Sequence, residues 1–452
     1  MTLDVDVLAP LVPALPAVER RARIPAGFVA GGRAAGIKAS GRPDLALVAV
    51  EPGAPPASAA AVFTPNAFAA APVRRSRSLL AASGGWARAV VCTSGCANAA
   101  TGAAGDADQA RVGELVAGAL GIAEAEILHL STGIIGTRLP LDRIAAGLDA
   151  LAPSLAATDE GLESAAVALR TTDSTTKVAT VALELPDENG TARAVRVSGM
   201  AKGVGMIHPR MATLLAVLVT DAAASPELLA SILRPAAART WDQLSVDGDT
   251  STNDTVFLLA SGASGAAPVV AGTPAAAALA AAVEAGARDL ARQQAADGEG
   301  ATCLLTCQVT GALDDAEARA VARAVISSSL VKAAAHGKDP NWGRIAGAAG
   351  NARLAETAVL AAAGLDPEAA FRRGAAPASV DPDRLRIAIA GHLVFDGSRG
   401  GPQPFDRAAA RAAMDGPEIV LRLDLGLGDG TGEAFGCDLT EQYVIENSEY
   451  TT

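Results

Sequence analysis

Lys202-Gly-Val-Gly-Met-Ile-His-Pro-Arg-Met-Ala-Thr213 runs straight into the apolar stretch Leu214-Leu-Ala-Val-Leu-Val219. Two glycines and a proline keep the first part out of regular structure. The second part suits a buried strand. The pair therefore reads as a loop ending on a threonine at the mouth of a strand.

A threonine in that place has a chemical use. A hydroxyl nucleophile needs a base, and a threonine that becomes an N-terminus carries one in its own α-amine. An unperturbed α-amine titrates at about 7.7–8.0, close enough to neutrality to take the proton. To expose it, the Thr213 hydroxyl would attack the Ala212 carbonyl, convert the amide to an ester, and leave the ester to water. Cleavage between Ala212 and Thr213 is the expectation. Taken alone the tripeptide says little, because threonine at a strand start is ordinary.

Working outward, Ala-rich helical patterns span Asp106–Ala119, Leu141–Leu151, Pro226–Thr240, Pro274–Ala296 and Asp314–Ile326. Strand-like runs lie between them, at Ala89–Cys92, Lys177–Leu185, Leu214–Val219, Val256–Ala260, Leu385–Ile389 and Ile419–Leu423. A mixed α/β class follows. Leu425–Gly432 reads as a tight turn, and Pro52–Pro56 and Arg372–Asp383 as surface loops.

Composition excludes several partners. With 452 residues, half of them apolar, the chain can bury a large core; its net charge of -12 disfavours nucleic acid and anionic membrane. Residues Thr255–Val283 carry no charge, but their glycines and prolines break a membrane-span reading. The first 23 residues have acidic groups where a secretory signal needs basic ones, so a loose leader on a cytoplasmic protein is expected. Cys92, Cys96, Cys303, Cys307 and Cys437 have neither disulfide-framework nor zinc-site spacing and read as reduced thiols.

Apparent ligand motifs fail on inspection. Asp247-Gly-Asp-Thr-Ser-Thr-Asn-Asp254 imitates a calcium loop, yet Thr252 replaces its turn glycine and Leu258 its bidentate glutamate, so it reads as a hydrogen-bonded turn near the site. Gly426-Leu-Gly-Asp-Gly430 lacks the third glycine of a dinucleotide fingerprint. His129, His208, His336 and His392 have no ligand spacing, and no metal is expected.

The decisive signal is a set of motifs in order: Ala61-Val-Phe-Thr64, Ser131-Thr-Gly-Ile-Ile-Gly136, Thr171-Thr-Asp-Ser174, Lys202 to Thr213, Val246 to Thr255, Asp297-Gly-Glu-Gly-Ala301, Asp339-Pro-Asn-Trp-Gly-Arg344 and Asn447-Ser-Glu-Tyr-Thr-Thr452. From about Gly27 to Thr452 this resembles the ornithine acetyltransferase family, the bifunctional glutamate N-acetyltransferases of arginine biosynthesis.

That resemblance implies an αββα-type self-processing core with a smaller second α/β domain. The expected organisation is a leader over 1–23, a catalytic domain over 24–305, a second domain over 306–440 and a tail over 441–452 that reaches the active site. It further implies that Thr213 cuts the chain and then carries the acetyl group, with Thr132 and Gly133 forming the oxyanion hole. Substrate-binding positions map onto Ser174, Lys202, Thr213, Glu299, Asn447 and Thr452. A lysine suits a carboxylate and a glutamate suits an ammonium.

The implied reaction moves acetyl from N-acetylornithine to L-glutamate by a ping-pong route without a cofactor. Some family members also accept acetyl-CoA as donor. Two cut pairs would associate into a tetramer.

Val204, Arg210, Ser174, Thr93 and Cys96 depart from the family's usual residues. They leave room for a paralogue with another acyl donor or acceptor, for an amidohydrolase or aminopeptidase on the same framework, and for a binding protein without chemistry.

Overall fold

The structure is a computed structural model that describes residues 8–11, 14–208, 214–354 and 377–448. Ala212, Thr213, Arg210 and Thr452, all singled out above, lie outside the described residues.

Three sheets form among the described residues, in a mixed α/β arrangement. A four-stranded sheet pairs Phe28–Arg33, Leu45–Val50, Ala89–Cys96 and Ile127–Ile134 in that order. A six-stranded sheet runs Trp86–Ala87, Ala57–Phe63, Thr255–Ala260, Leu215–Thr220, Ala192–Lys202, Lys177–Pro186. Both owe their packing to strands apolar on two faces. Ala46 and Val48 point into a core shared with Leu215, Val217, Phe257 and Leu259 of the other sheet. Leu45 and Leu47 point the opposite way, onto Val112, Val116, Ile144 and Leu148 from the helices Gly102–Leu120 and Leu141–Leu151. On the far side of the six-stranded sheet, Ala216, Leu218 and Leu258 meet Leu229, Leu233, Leu279 and Leu290.

Those last four residues belong to the helices Pro226–Arg239 and Pro274–Ala296. Both helices start where sequence chemistry dictates. Ser225 and Thr273 accept hydrogen bonds from the amides of Leu228 and Ala276, and a proline follows each cap, where its missing N–H is harmless. The apolar run Leu214–Val219 is realised as the strand Leu215–Thr220, parallel to Thr255–Ala260.

A seven-stranded sheet builds the rest around Leu304–Ala312, Glu418–Asp424 and Gly430–Cys437. Leu305, Cys307 and Val309 pack on Val321 and Val325 of the helix Asp315–Ser327, with Ile387, Leu421 and Leu423 beside them. Arg288 and Arg292 of the long helix bind Glu433 and Glu418, the second at 2.8 Å, and tie this sheet to the rest.

The domain limit expected at 305/306 lies within the strand Leu304–Ala312. In the segment expected as a leader, Glu19 exchanges two 2.8 Å main-chain hydrogen bonds with Thr180, and Leu11 bonds Gln308. Two readings of local structure are corrected. The turn at Leu425–Gly432 stops early, because Gly430 opens a strand paired with Leu304–Ala312. Lys202 does not begin a loop; it ends the strand Ala192–Lys202. No helix among the described residues is long and apolar enough to cross a membrane.

Candidate active site

Two parallel strands, Ala89–Cys96 and Ile127–Ile134, lose register at Gly95 and Cys96, and Thr132 and Gly133 stand opposite that irregularity. Gly133 has φ +128°, and a β-carbon there would come 2.3 Å from the Gly95 carbonyl carbon, so only glycine fits. Asn253 fixes the same strand end by donating to the carbonyls of Ser131 at 2.8 Å and Ala97 at 2.7 Å.

Lys202, the last residue of its strand, extends its ammonium to the Thr132 hydroxyl at 3.2 Å. Because Lys202 donates to that oxygen, the Thr132 proton remains available for another acceptor. Burial lowers the proton affinity of Lys202, and the carboxylates of Asp173 and Glu299 work against that shift. Below it lies an ionic floor. Asp173, 2 % exposed, accepts from Lys177 at 2.8 Å and from the Gly203 amide at 2.9 Å. Burial alone would raise the Asp173 carboxyl, but Lys202 and Lys177 outweigh it and hold the group well below the usual carboxylate range. Lys177 is completed by Asp297 at 2.5 Å.

Opposite stands Glu299, in the turn after the helix Pro274–Ala296. Its amide donates to the Val204 carbonyl at 2.8 Å. Thr172 donates to one carboxylate oxygen at 2.8 Å and Asn447, on the helix Glu441–Ser448, to the other at 3.0 Å. Gly205 makes room for this carboxylate, since a β-carbon there would sit 2.1 Å from Glu299 Oε2.

Thr132, Gly133, Lys202, Glu299 and Asn447 thus line one cavity of about 100 Å³, together with Thr171, Thr172, Gly205, Ser251, Thr252 and Asn253. An ammonium and a carboxylate on one small cleft match the two charges of an amino acid, and a hydroxyl backed by a cation can meet a developing oxyanion. Ser174 stays out of that lining: it is exposed, and its hydroxyl and amide bind Asp297, the amide at 3.0 Å. The Asp247 segment is a turn beside the site, as its sequence suggests, with Asp247 accepting from the Ile207 amide at 2.8 Å.

Sequence reasoning missed Thr172, Gly205, Asn253 and Asp173 as members of the cleft. All four sat in plain view inside quoted motifs, and the gathering of hydroxyl, glycine and carboxylate residues within those motifs was the available signal.

The model of the ArgJ family matches residues 29–452. The arginine biosynthesis bifunctional protein ArgJ of Thermus thermophilus is 44% identical over 439 residues, covering 95% of this chain and 99% of its own length. The protein of that name from Thermosynechococcus vestitus is 44% identical over 442 residues, covering 94% of this chain and 96% of its own length. Among solved structures, the Mycobacterium tuberculosis ornithine acetyltransferase complexed with ornithine is 40% identical, with a TM-score of 0.38, over 43% of this chain and 97% of that one. Since the family model and the Thermus and Thermosynechococcus relatives run almost the full length of the sequence, the chain belongs to the ArgJ family of bifunctional arginine-biosynthesis proteins.

Proposed function

We propose that this chain is an ornithine acetyltransferase that moves acetyl from N-acetylornithine to L-glutamate through an acetyl ester on Thr213. It cuts itself first, between Ala212 and Thr213. The observation that carries the reading is the gathering of Thr132, Gly133, Lys202, Glu299 and Asn447 on one cleft. The sheet and helix layering supports an αββα-type self-processing core.

In the cut enzyme the Thr213 hydroxyl attacks the acetyl carbonyl while its α-amine takes the hydroxyl proton. The oxyanion is met by Thr132, whose proton is freed by Lys202, and by the Gly133 N–H. The amide C–N bond then breaks, the α-amine returns the proton to the departing ornithine nitrogen, and acetyl-Thr213 remains. Glutamate's amine attacks that ester by the reverse path.

Lys202 takes the substrate carboxylate and Glu299, oriented by Thr172 and Asn447, takes an ammonium. Ser174 and Thr452 are the remaining substrate-binding positions. Acetyl-CoA enters as an alternative donor to the same threonine, and two cut pairs associate.

Intact mass of the purified protein and capture of labelled acetyl test this reading. The expected result is two fragments of 212 and 240 residues and label transferred from N-acetylornithine to glutamate. A single uncut chain with full transfer activity overturns the Thr213 mechanism. Label released only as acetate identifies a hydrolase instead.

A further inference from the structure

Two consecutive residues bridge the two halves of the site. Asn253 binds the Ser131 carbonyl, one residue before Thr132. Asp254 Oδ1 accepts the Leu214 amide at 3.0 Å, one residue after Thr213. Main-chain bonds fix this dipeptide in turn: the Asp254 carbonyl accepts from the Thr64 amide at 2.9 Å, and the Thr255 amide donates to the Leu214 carbonyl at 3.1 Å.

Asp254 is 0 % exposed. Its second oxygen, Oδ2, has no hydrogen-bond partner among the described residues. Buried carboxyl oxygens normally have one, because leaving them without is unfavourable. The Leu214 nitrogen is bonded to the Thr213 carbonyl carbon, and bond lengths allow at most about 4 Å between that nitrogen and the α-nitrogen of the preceding residue.

We propose that Asp254 is a positioning residue for the nucleophile, one carboxyl oxygen holding the Leu214 amide and the other serving as hydrogen-bond partner of the Thr213 nitrogen. Asn253 holds the oxyanion side in the same way, so the dipeptide sets the distance between attacking group and oxyanion donors. The assignment rests on the reading of Thr213 as the nucleophile. Its physical content is orientation: an α-amine works as a base only when its lone pair faces the reacting hydroxyl.

Burial pushes the Asp254 carboxyl well above the ordinary range, against the pull of the Leu214 amide, the Ser251 hydroxyl and Lys202 and with that of Asp242. That is the condition of a carboxyl whose second oxygen awaits a donor. A carboxyl with a raised folded pKa binds its proton better folded than unfolded, so it opposes stability as pH rises above about 3.9. Removing its charge should not weaken the fold at neutral pH.

Asp254→Asn supplies the test, because the amide keeps the shape and one acceptor for Leu214. Its NH2 then meets the Thr213 nitrogen as donor against donor, or ties up the lone pair. Expected are cutting and kcat each slowed at least tenfold, KM for N-acetylornithine within twofold of wild type, and Tm at pH 7 no lower than wild type. A purely structural role would lower Tm and leave kcat of cut material unchanged. Asp254→Asn that cuts and turns over like wild type overturns the proposal.

A crystal structure of the cut wild-type protein is the second measurement, independent of how the variant folds. Oδ2 within hydrogen-bond distance of the Thr213 nitrogen supports the assignment, and a longer separation overturns it. The wild type assayed in parallel separates the two ideas. If it neither cuts nor transfers acetyl, the reading of Thr213 falls. If it does both and Asp254→Asn matches it, Asp254 alone is dismissed.

Discussion

Lys332 and Lys202 are buried to the same degree, at 3 % and 4 % exposure, in different chemical circumstances. Lys332, on the helix Ser329–His336, donates to the carbonyls of Cys437 at 2.8 Å and Ser245 at 3.1 Å. It staples the edge strand Leu244–Ser245 to Gly430–Cys437. Its ammonium is spent on backbone oxygens of two strands. The Lys202 ammonium makes one hydrogen bond among the described residues, at 3.2 Å to a hydroxyl, and faces a cleft. The difference teaches how to read buried charge: bonds to backbone carbonyls mark a structural lysine, and spare donors aimed into a cavity mark one kept for a ligand.

That contrast breaks most decisively at the nucleophile. Thr213→Ala should leave the chain uncut and acetyl transfer at background, while Thr213→Ser keeps some of both because hydroxyl and amine survive. Mass spectrometry and a transfer assay check it; wild-type rates in the alanine variant would remove Thr213 from the chemistry. Next in size is Thr132→Ala. In material confirmed as cut, kcat should fall about 10²–10³-fold with KM little changed, as for loss of one oxyanion donor. An unchanged kcat with raised KM would make Thr132 a binding residue.

The two lysines then answer each other. Lys202→Met should raise KM for the amino-acid substrates about 10- to 100-fold, the worth of one charge-assisted hydrogen bond, and shift Tm little because Asp173 keeps Lys177. Lys332→Met should do the reverse. Two buried carbonyls lose a donor at about 1–3 kcal/mol, Tm drops by a few degrees, and the constants of the folded enzyme stay put. Thermal melts and steady-state kinetics on both variants decide; matching profiles would dissolve the distinction.

Legibility in the sequence divides along similar lines. Leu141–Leu151 and Pro274–Ala296 were readable to the residue, since apolar spacing and a Thr-Pro cap mark them. Ala57–Phe63 and Gly430–Cys437 were not. Both are runs of alanine or glycine with weak strand propensity, and pairing with neighbours overrides it. The cleft was legible only through family motifs. Thr172 and Asn447 find Glu299 across 127 and 148 residues, and no local period encodes such a meeting. Asp254 read as one polar residue of a turn until its burial and its Leu214 partner were known.

His129 offers the finest test of the burial argument, as a third enclosed base that is neither staple nor ligand-facing. It sits in the strand that carries Thr132, and Gln109 donates to its Nδ1 at 2.9 Å. Burial pulls its pKa down to about 3, and Arg75 adds to the shift. Unfolded, the same imidazole titrates near 6.5. Between those values the unfolded chain binds the proton and the folded chain does not, so stability rises with pH through that window and is level above about 6.5. Going from pH 8 to pH 5 therefore removes about 2 kcal/mol on account of this one group, a Tm loss of a few degrees for a chain of this size. His129→Gln keeps a polar group for Gln109 and has no proton to gain. Its Tm should fall less than wild type's over that interval, whatever its value at pH 8. Parallel slopes for the two proteins in melts at pH 8, 6.5 and 5 would mean that His129 takes up its proton without unfolding.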